Sequence, residues 1–158
     1  MPNVGQQILI APEVCEPDNE TCILPRQNVT RTCIYGGPRL YYTVNGDTYE
    51  IVARRLNITV DSLMAYAKSG ETATTLLEVD QFLKVPQCSP SQCGIQPYSF
   101  MFGVYKDLAE EYGTTMGQIM MMSPRYNYSS IAMMGGTPPP IGLPINCTAL
   151  SNNVTVLN

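Results

Sequence analysis

The sequence contains no histidine and no tryptophan, and its 158 residues include only 9 Lys and Arg beside 13 Asp and Glu. Without histidine, neither a Ser-His nor a Cys-His nucleophile pair can be assembled, and the usual nitrogen ligand for zinc is missing. Without tryptophan, the broadest aromatic surface for stacking is absent. A net charge of −4 and a pI near 4.7 disfavour phosphate backbones and anionic membranes, so neither nucleic acid nor membrane is an expected partner. No stretch reaches the roughly 18 uninterrupted apolar residues that a membrane span needs. The amino end, residues 1–15, lacks a basic segment followed by a long apolar one, so no signal peptide is visible. The expectation is that a leader was removed or that residue 1 is not the natural start.

Cysteine is what the chain has instead. Six are present, Cys15, Cys22, Cys33, Cys88, Cys93 and Cys147, separated by six, ten, fifty-four, four and fifty-three residues. No Cys-x-x-Cys occurs, which argues against zinc, and a chain this short gains from covalent staples. Up to three disulfides are expected, with connectivity open. Oxidising secretion is also the reading of six Asn-x-Ser/Thr acceptor sites, at Asn19, Asn28, Asn57, Asn127, Asn146 and Asn153. The chain is therefore expected to be secreted and extracellular.

Hydrophobic pattern organises the middle of the chain. Tyr42 and Val44 alternate as in a strand, and Asp47 with Glu50 three positions on matches a capping box. Tyr49, Val52, Ala53 and Leu56 then form one apolar helical stripe, with Arg54 and Arg55 off it. Thr59 is placed to cap a second helix whose inward face is Leu63, Met64 and Ala67, and which is expected to end near Ser69 and Gly70. The run from Glu78 to Val85, stopped by Pro86, reads as a closing strand.

Residues 86–97 read as a linker by composition. Shifting the chain against itself by 56 positions then superposes Tyr42 on Tyr98, Tyr49 on Tyr105, Ala53 on Ala109, Thr59 on Thr115 and Leu63 on Ile119 without a gap. Thr115 with Gln118 repeats the capping-box spacing, and Ile141 to Cys147 offers a second closing strand. The fold class expected is α+β: tandem small βααβ modules, each burying one sheet face under two helices and stapled by disulfides.

The residues Tyr42, Val44, Gly46, Asp47, Thr48, Tyr49, Ile51, Val52 and Ala53, followed by Asn57, Thr59, Leu63 and the Leu77 to Pro86 segment, resemble the LysM (lysin motif) module. Cysteine-bounded tandem copies bearing acceptor sites resemble the secreted LysM effectors of fungi. The resemblance implies a division into a closing strand of a truncated module (1–14), a Cys-rich linker (15–40), a LysM module (41–87), a linker (88–97), a divergent module (98–147) and a tail (148–158). It implies a non-catalytic binder of chitin, or N-acetylglucosamine oligomers, in a groove between two loops. Carried onto this sequence, those loops hold Gly46, Asp47, Thr48 and Tyr49, and Ser69, Gly70, Thr74, Thr75, Leu76 and Leu77. Sequestration of chitin fragments or shielding of a wall is the implied role, with self-association on the ligand. A structural, self-associating protein with degenerate grooves and a peptidoglycan binder are the alternatives. The chain departs from the family at Ala67, where asparagine is usual, at Asp80, where glycine is usual, and at Phe102 and Gly103, which replace the Gly-Asp pair.

An acetylated amino sugar offers an amide, hydroxyls and a methyl group, so loop main chain held rigid is a suitable partner. Gly46 permits the turn and close approach, and Asp47 is expected to cap the helix and fix the loop. On that basis Gly46→Val with Asp47→Ala should weaken binding and spare the fold. Tyr49 and Tyr105 lie on the inward stripe and read as core. Glu110 and Glu111 are helix neighbours rather than a hydrolytic pair across a cleft. Met116 with Met120, Met121 and Met122 reads as adaptable core packing in preference to a Cu(I) site. No enzyme activity, metal or cofactor is expected.

Overall fold

The computed structural model describes residues 29–99, 104–124 and 139–157. The expected truncated module at 1–14, Cys15, Cys22, Asn19, Asn28, the Phe102 and Gly103 pair and Asn127 lie outside those residues.

The first unit begins with β1 (Ile34–Tyr35) and β2 (Leu40–Tyr42), continues through α1 (Tyr49–Leu56) and α2 (Val60–Leu63), and closes with β3 (Phe82–Lys84). β2 and β3 are antiparallel, with Tyr41 opposite Leu83 and Tyr42 opposite Phe82. Alternation along β2 turns Tyr41 fully inward and leaves Leu40 half exposed. The stripe read from sequence is the one that packs: Tyr49, Val52, Ala53 and Leu56 are all buried, in one core with Ile34, Tyr41, Ile58, Leu63 and Val85. Thr59 caps α2 by accepting from the Ser62 N–H.

Four local expectations need correction. The cap of α1 is Thr48, whose hydroxyl accepts from the Ile51 N–H at 3.2 Å. Asp47 instead accepts from the Val44 N–H at 2.9 Å and pairs with Arg55. Arg55 accordingly folds back against the core, donating also to the Tyr41 hydroxyl at 2.6 Å. The second helix ends earlier than Ser69, giving way to a 3-10 turn over Met64–Tyr66, and the Gln118 side chain reaches back to the Thr115 hydroxyl, which donates to its Oε1 at 3.1 Å, in place of the main-chain N–H of a capping box.

The segment read as a linker is β structure. β4 (Gln87–Ser89) runs parallel to β1 and β5 (Ser91–Tyr98) runs antiparallel to β6 (Ile141–Ala149), with the register shifting between Gln92 and Gly94. The expected tail contributes β7 (Thr155–Leu157), which pairs with β4 to complete a three-stranded β1-β4-β7 sheet. Between β5 and β6 lie α3 (Tyr105–Glu111) and α4 (Met116–Met122), whose start is capped by Thr115 accepting from the Gln118 N–H. Leu108, Ala109, Ile119, Ile141 and Leu143 form a second core, flanked by Tyr98, Tyr105 and Tyr112.

Two disulfides staple these sheets. Cys33 bonds Cys88, tying the start of β1 to β4, and Cys93 bonds Cys147, tying β5 to β6. Each closes a loop of more than fifty residues, a span for which loop closure removes about 4 kcal/mol of denatured-state entropy. Of the remaining acceptor sites, Asn146 and Asn153 are exposed, while Asn57 takes the left-handed position that ends α1.

The two units share α4. Its Met121 is buried in the first core, and the Tyr41 hydroxyl donates to the Met120 sulfur at 3.8 Å. The approach depends on Gly117, since a Cβ there would stand 2.4 Å from Leu56 Cδ2 and 3.1 Å from the Arg55 carbonyl carbon. Gln118, 2% exposed, donates through Nε2 to the Tyr35 carbonyl at 2.7 Å, so the amide that faces the joint is satisfied across it. The methionine run is packing, as its softness suits an irregular seam. Among the described residues, no helix is long and apolar enough to cross a membrane.

Candidate functional site

The two loops named from sequence meet. The Leu77 N–H donates to the Asp47 carbonyl at 2.9 Å, the Glu50 N–H donates to the Ala73 carbonyl at 3.0 Å, and Thr48 forms a β-bridge with Leu76. Part of the loop main chain expected to meet the sugar is therefore used to join the loops to each other. Gly46 has φ of +87° and no atom within 4 Å of where a Cβ would be, so it serves the turn and leaves the surface open above it. Asp47 is fully buried: its role is to hold the turn from beneath, through Val44 and Arg55.

A cleft of about 370 Å³ opens beside this junction. Of the ten residues named from sequence, Tyr49, Leu76 and Leu77 line it. Gly46, Asp47 and Thr48 lie on the adjoining turn, and Ser69, Gly70, Thr74 and Thr75 lie on the loop that frames it, without lining it. Thr74 and Thr75 are instead part of a polar turn in which the Thr72 N–H donates to the Thr75 hydroxyl at 2.8 Å.

Sequence reasoning missed the rest of the wall. Thr43, Lys68, Glu71, Glu78, Gln81, Phe82 and Leu83 complete it. Leu76 is 70% exposed and Phe82 64% exposed, an apolar pair on a surface where such side chains are ordinarily covered. Phe82 meets Tyr42 edge to face at 5.3 Å, so the ring is held in place by its cross-strand neighbour. Period-two alternation in β2 and β3 was the available signal, because it puts Tyr42 and Phe82 on the outward face. Thr43 holds the floor: its hydroxyl donates to the Glu78 carbonyl at 2.6 Å and accepts from the Gln81 N–H at 3.0 Å. At the next corner Asp80 has φ of +64° and its carboxylate accepts from the Tyr42 hydroxyl at 2.8 Å.

The charged wall is also fixed. Glu71 Oε2 accepts from the Tyr49 hydroxyl at 2.7 Å and from the Lys68 N–H at 2.8 Å. The Tyr49 bond and then the Lys68 N–H hold the Glu71 carboxyl below the usual range. Burial, together with the bond to Glu71 and its charge, pushes the Tyr49 phenol up to about 12. At neutral pH the pair is thus a neutral phenol donating to a carboxylate, which closes the loop onto the first turn of α1.

The wall offers an apolar surface, a carboxylate, an ammonium group and the amide of Gln81, a set suited to binding a polar, neutral molecule with one apolar face. Residues 41–86 match the LysM domain family model. The chain is 49% identical over 148 residues to the secreted LysM effector LysM13 of Penicillium expansum, covering 92% of this chain and 64% of that one. It is 38% identical over 126 residues to the secreted LysM effector ECP6 of Passalora fulva, covering 78% of this chain and 55% of that one. A third relative, the secreted LysM effector ELP2 of Colletotrichum higginsianum, is 42% identical over 85 residues, or 54% of this chain and 46% of that protein. The chain spans less than two thirds of the length of each of these relatives. With residues 41–86 matching that family model inside the Cys33–Cys88 bridge, and relatives of this kind along most of its length, the chain carries a LysM domain.

Proposed function

We propose that this chain is a secreted, non-catalytic carbohydrate binder whose ligand is chitin, taken as N-acetylglucosamine oligomers at the junction of the Gly46 to Tyr49 turn with the Ser69 to Leu77 loop. The observation that carries the reading is the bonding of those two loops to each other beside a cleft walled by exposed Leu76 and Phe82. Pyranose rings present C–H groups on one face and hydroxyls at the rim, which matches an apolar wall edged by Gln81, Lys68 and Glu71. The secreted LysM effectors among the relatives support extracellular action, and the family resemblance supports chitin fragments as the target, either sequestered or masked by shielding a wall.

Residues 98–147 would then be a divergent second LysM copy, a reading supported by the strand-helix-helix-strand order of β5, α3, α4 and β6 and by the shared threonine caps at Thr59 and Thr115. Its helix α4 is partly occupied in closing the first core, which favours a packing role for that copy. Single LysM grooves gain little from each hydrogen bond, about 0.5–1.5 kcal/mol, so avidity on a polymer requires further modules or self-association on the ligand. The test is calorimetry with N-acetylglucosamine hexamer, paired with pull-down on insoluble chitin and on bacterial wall. Heat saturating in the micromolar to millimolar range is expected. Absence of heat at millimolar hexamer from a folded protein would favour the structural, self-associating alternative, and retention on bacterial wall alone would favour peptidoglycan.

A further inference from the structure

Glu71 lies within the Ser69 to Leu77 loop but is not one of the ten residues named from sequence, and it is the charged group of the cleft anchored by two hydrogen bonds. One of its oxygens takes both anchoring bonds, from the Tyr49 hydroxyl and the Lys68 N–H, so the carboxylate plane is set by two different elements, α1 and the 68–71 turn. Lysine and glutamate side chains that merely solvate a surface are not held this way. Leu76 and Phe82, both mostly exposed, line the same cleft. A fixed anionic acceptor in one cleft with an apolar surface selects a ligand that carries an N–H donor beside a hydrophobic face, and the substituent at C2 of an N-acetylated glucosamine is such a donor.

We infer that Glu71 is a specificity-determining residue of this groove, accepting through Oε1 from the nitrogen at C2 of the sugar and so distinguishing amino sugar oligomers from glucose oligomers. The inference rests on the carbohydrate-binding reading above and adds to it the group that reads the nitrogen. A hydroxyl at C2 can also donate, but its oxygen can equally be satisfied by water, and a glucose oligomer lacks the acetyl methyl that would lie on Leu76 and Phe82. A charged acceptor forms a stronger hydrogen bond than a neutral one, and Gln at this position keeps an oxygen for Tyr49 and Lys68 while removing the charge.

The experiment is calorimetry of the full chain with N-acetylglucosamine hexamer and with glucose hexamer, for wild type, Glu71→Gln and Glu110→Gln. Glu110 sits exposed on α3, away from the cleft, and controls for the same change in net charge. The expected result is that Glu71→Gln binds the acetylated hexamer about tenfold more weakly, on the scale by which charged acceptors exceed neutral ones. Its preference over glucose hexamer should fall by the same factor, while Glu110→Gln matches wild type for both hexamers. Wild-type affinity in Glu71→Gln would overturn the inference and leave the chitin reading standing. An equal loss of the acetylated and the glucose hexamer in Glu71→Gln would also overturn it, since the anchoring of the loop would then matter and the reading of the nitrogen would not. Failure of the wild type to bind the acetylated hexamer would sink both.

Discussion

Replacing Asp47 by asparagine keeps the volume of the side chain and removes its charge from a site with no exposure to solvent. Two bonds are at stake: the one accepted from the Val44 N–H at 2.9 Å, which holds the turn, and the one from Arg55. Breaking a buried ion pair from one side costs about 3–5 kcal/mol, because the other charge is left without a partner. Here the Arg55 side chain is 21% exposed and also donates to the Tyr41 hydroxyl, so water and Tyr41 recover part of the loss. A cost of about 2–3 kcal/mol is expected, which in a chain of this size lowers Tm by about 5–10 °C. Differential scanning calorimetry of Asp47→Asn reads it directly. In a double-mutant cycle with Arg55→Met, the combined variant should lose less than the two single losses added, by about 1 kcal/mol or more. A Tm within 1–2 °C of wild type for Asp47→Asn, or strict additivity in the cycle, would refute the reasoning, since exposed pairs contribute only about 0–1 kcal/mol. The same geometry overturns the expectation that Gly46→Val with Asp47→Ala spares the fold, so binding at the turn is better probed from the surface, at Leu76 or Phe82.

Asp80→Gly relieves a left-handed backbone position while losing only an exposed bond to Tyr42, so a gain of about 0.5–1 kcal/mol is expected in urea unfolding. Gly117→Ala should destabilise by about 1–2 kcal/mol, against the general rule that alanine favours helices, because the new methyl group meets Leu56 and the Arg55 backbone. In alkali, Tyr49 and Tyr41 are both raised from 10.0 to about 12, chiefly by burial, so folding favours their neutral forms. Their contribution is complete below pH 10 and is lost as pH rises through about 12; urea midpoints taken from pH 9 to 12 should fall, and fall less steeply in Tyr49→Phe, where Tyr41 alone remains.

How far the sequence reached depends on the range of the interactions involved. The helical stripe from Tyr49 to Leu56 and the caps at Thr59 and Thr115 are set by neighbours three and four residues apart, and they were legible. The cap of α1 was misplaced by one residue because Asp47 and Thr48 both satisfy the local chemistry. The ion pair with Arg55, eight residues away, together with the Val44 N–H, draws Asp47 inward and leaves the cap to Thr48. Strands β4 and β5 were hidden by Pro90 and Pro97 and by cysteines that suggest a loop, whereas their pairing is fixed by β1, β6 and β7, as much as seventy residues distant. Phe82 was read as part of a closing strand, and its outward face becomes a cleft wall only together with Leu76 and Glu71, which come from a loop that the strand pattern does not place. The closing of the first core by Met121 likewise depends on a contact between units that no local period encodes.

The most direct test of the central claim is a titration of isotopically labelled protein with N-acetylglucosamine hexamer, followed by amide chemical shifts. The account predicts that the shifts concentrate at Gly46 to Tyr49, at Lys68 to Leu77 and at Gln81 to Leu83, and that they saturate together. Saturating shifts confined to β5, β6 and α3, with the cleft beside Tyr49 and Phe82 unaffected, would contradict it.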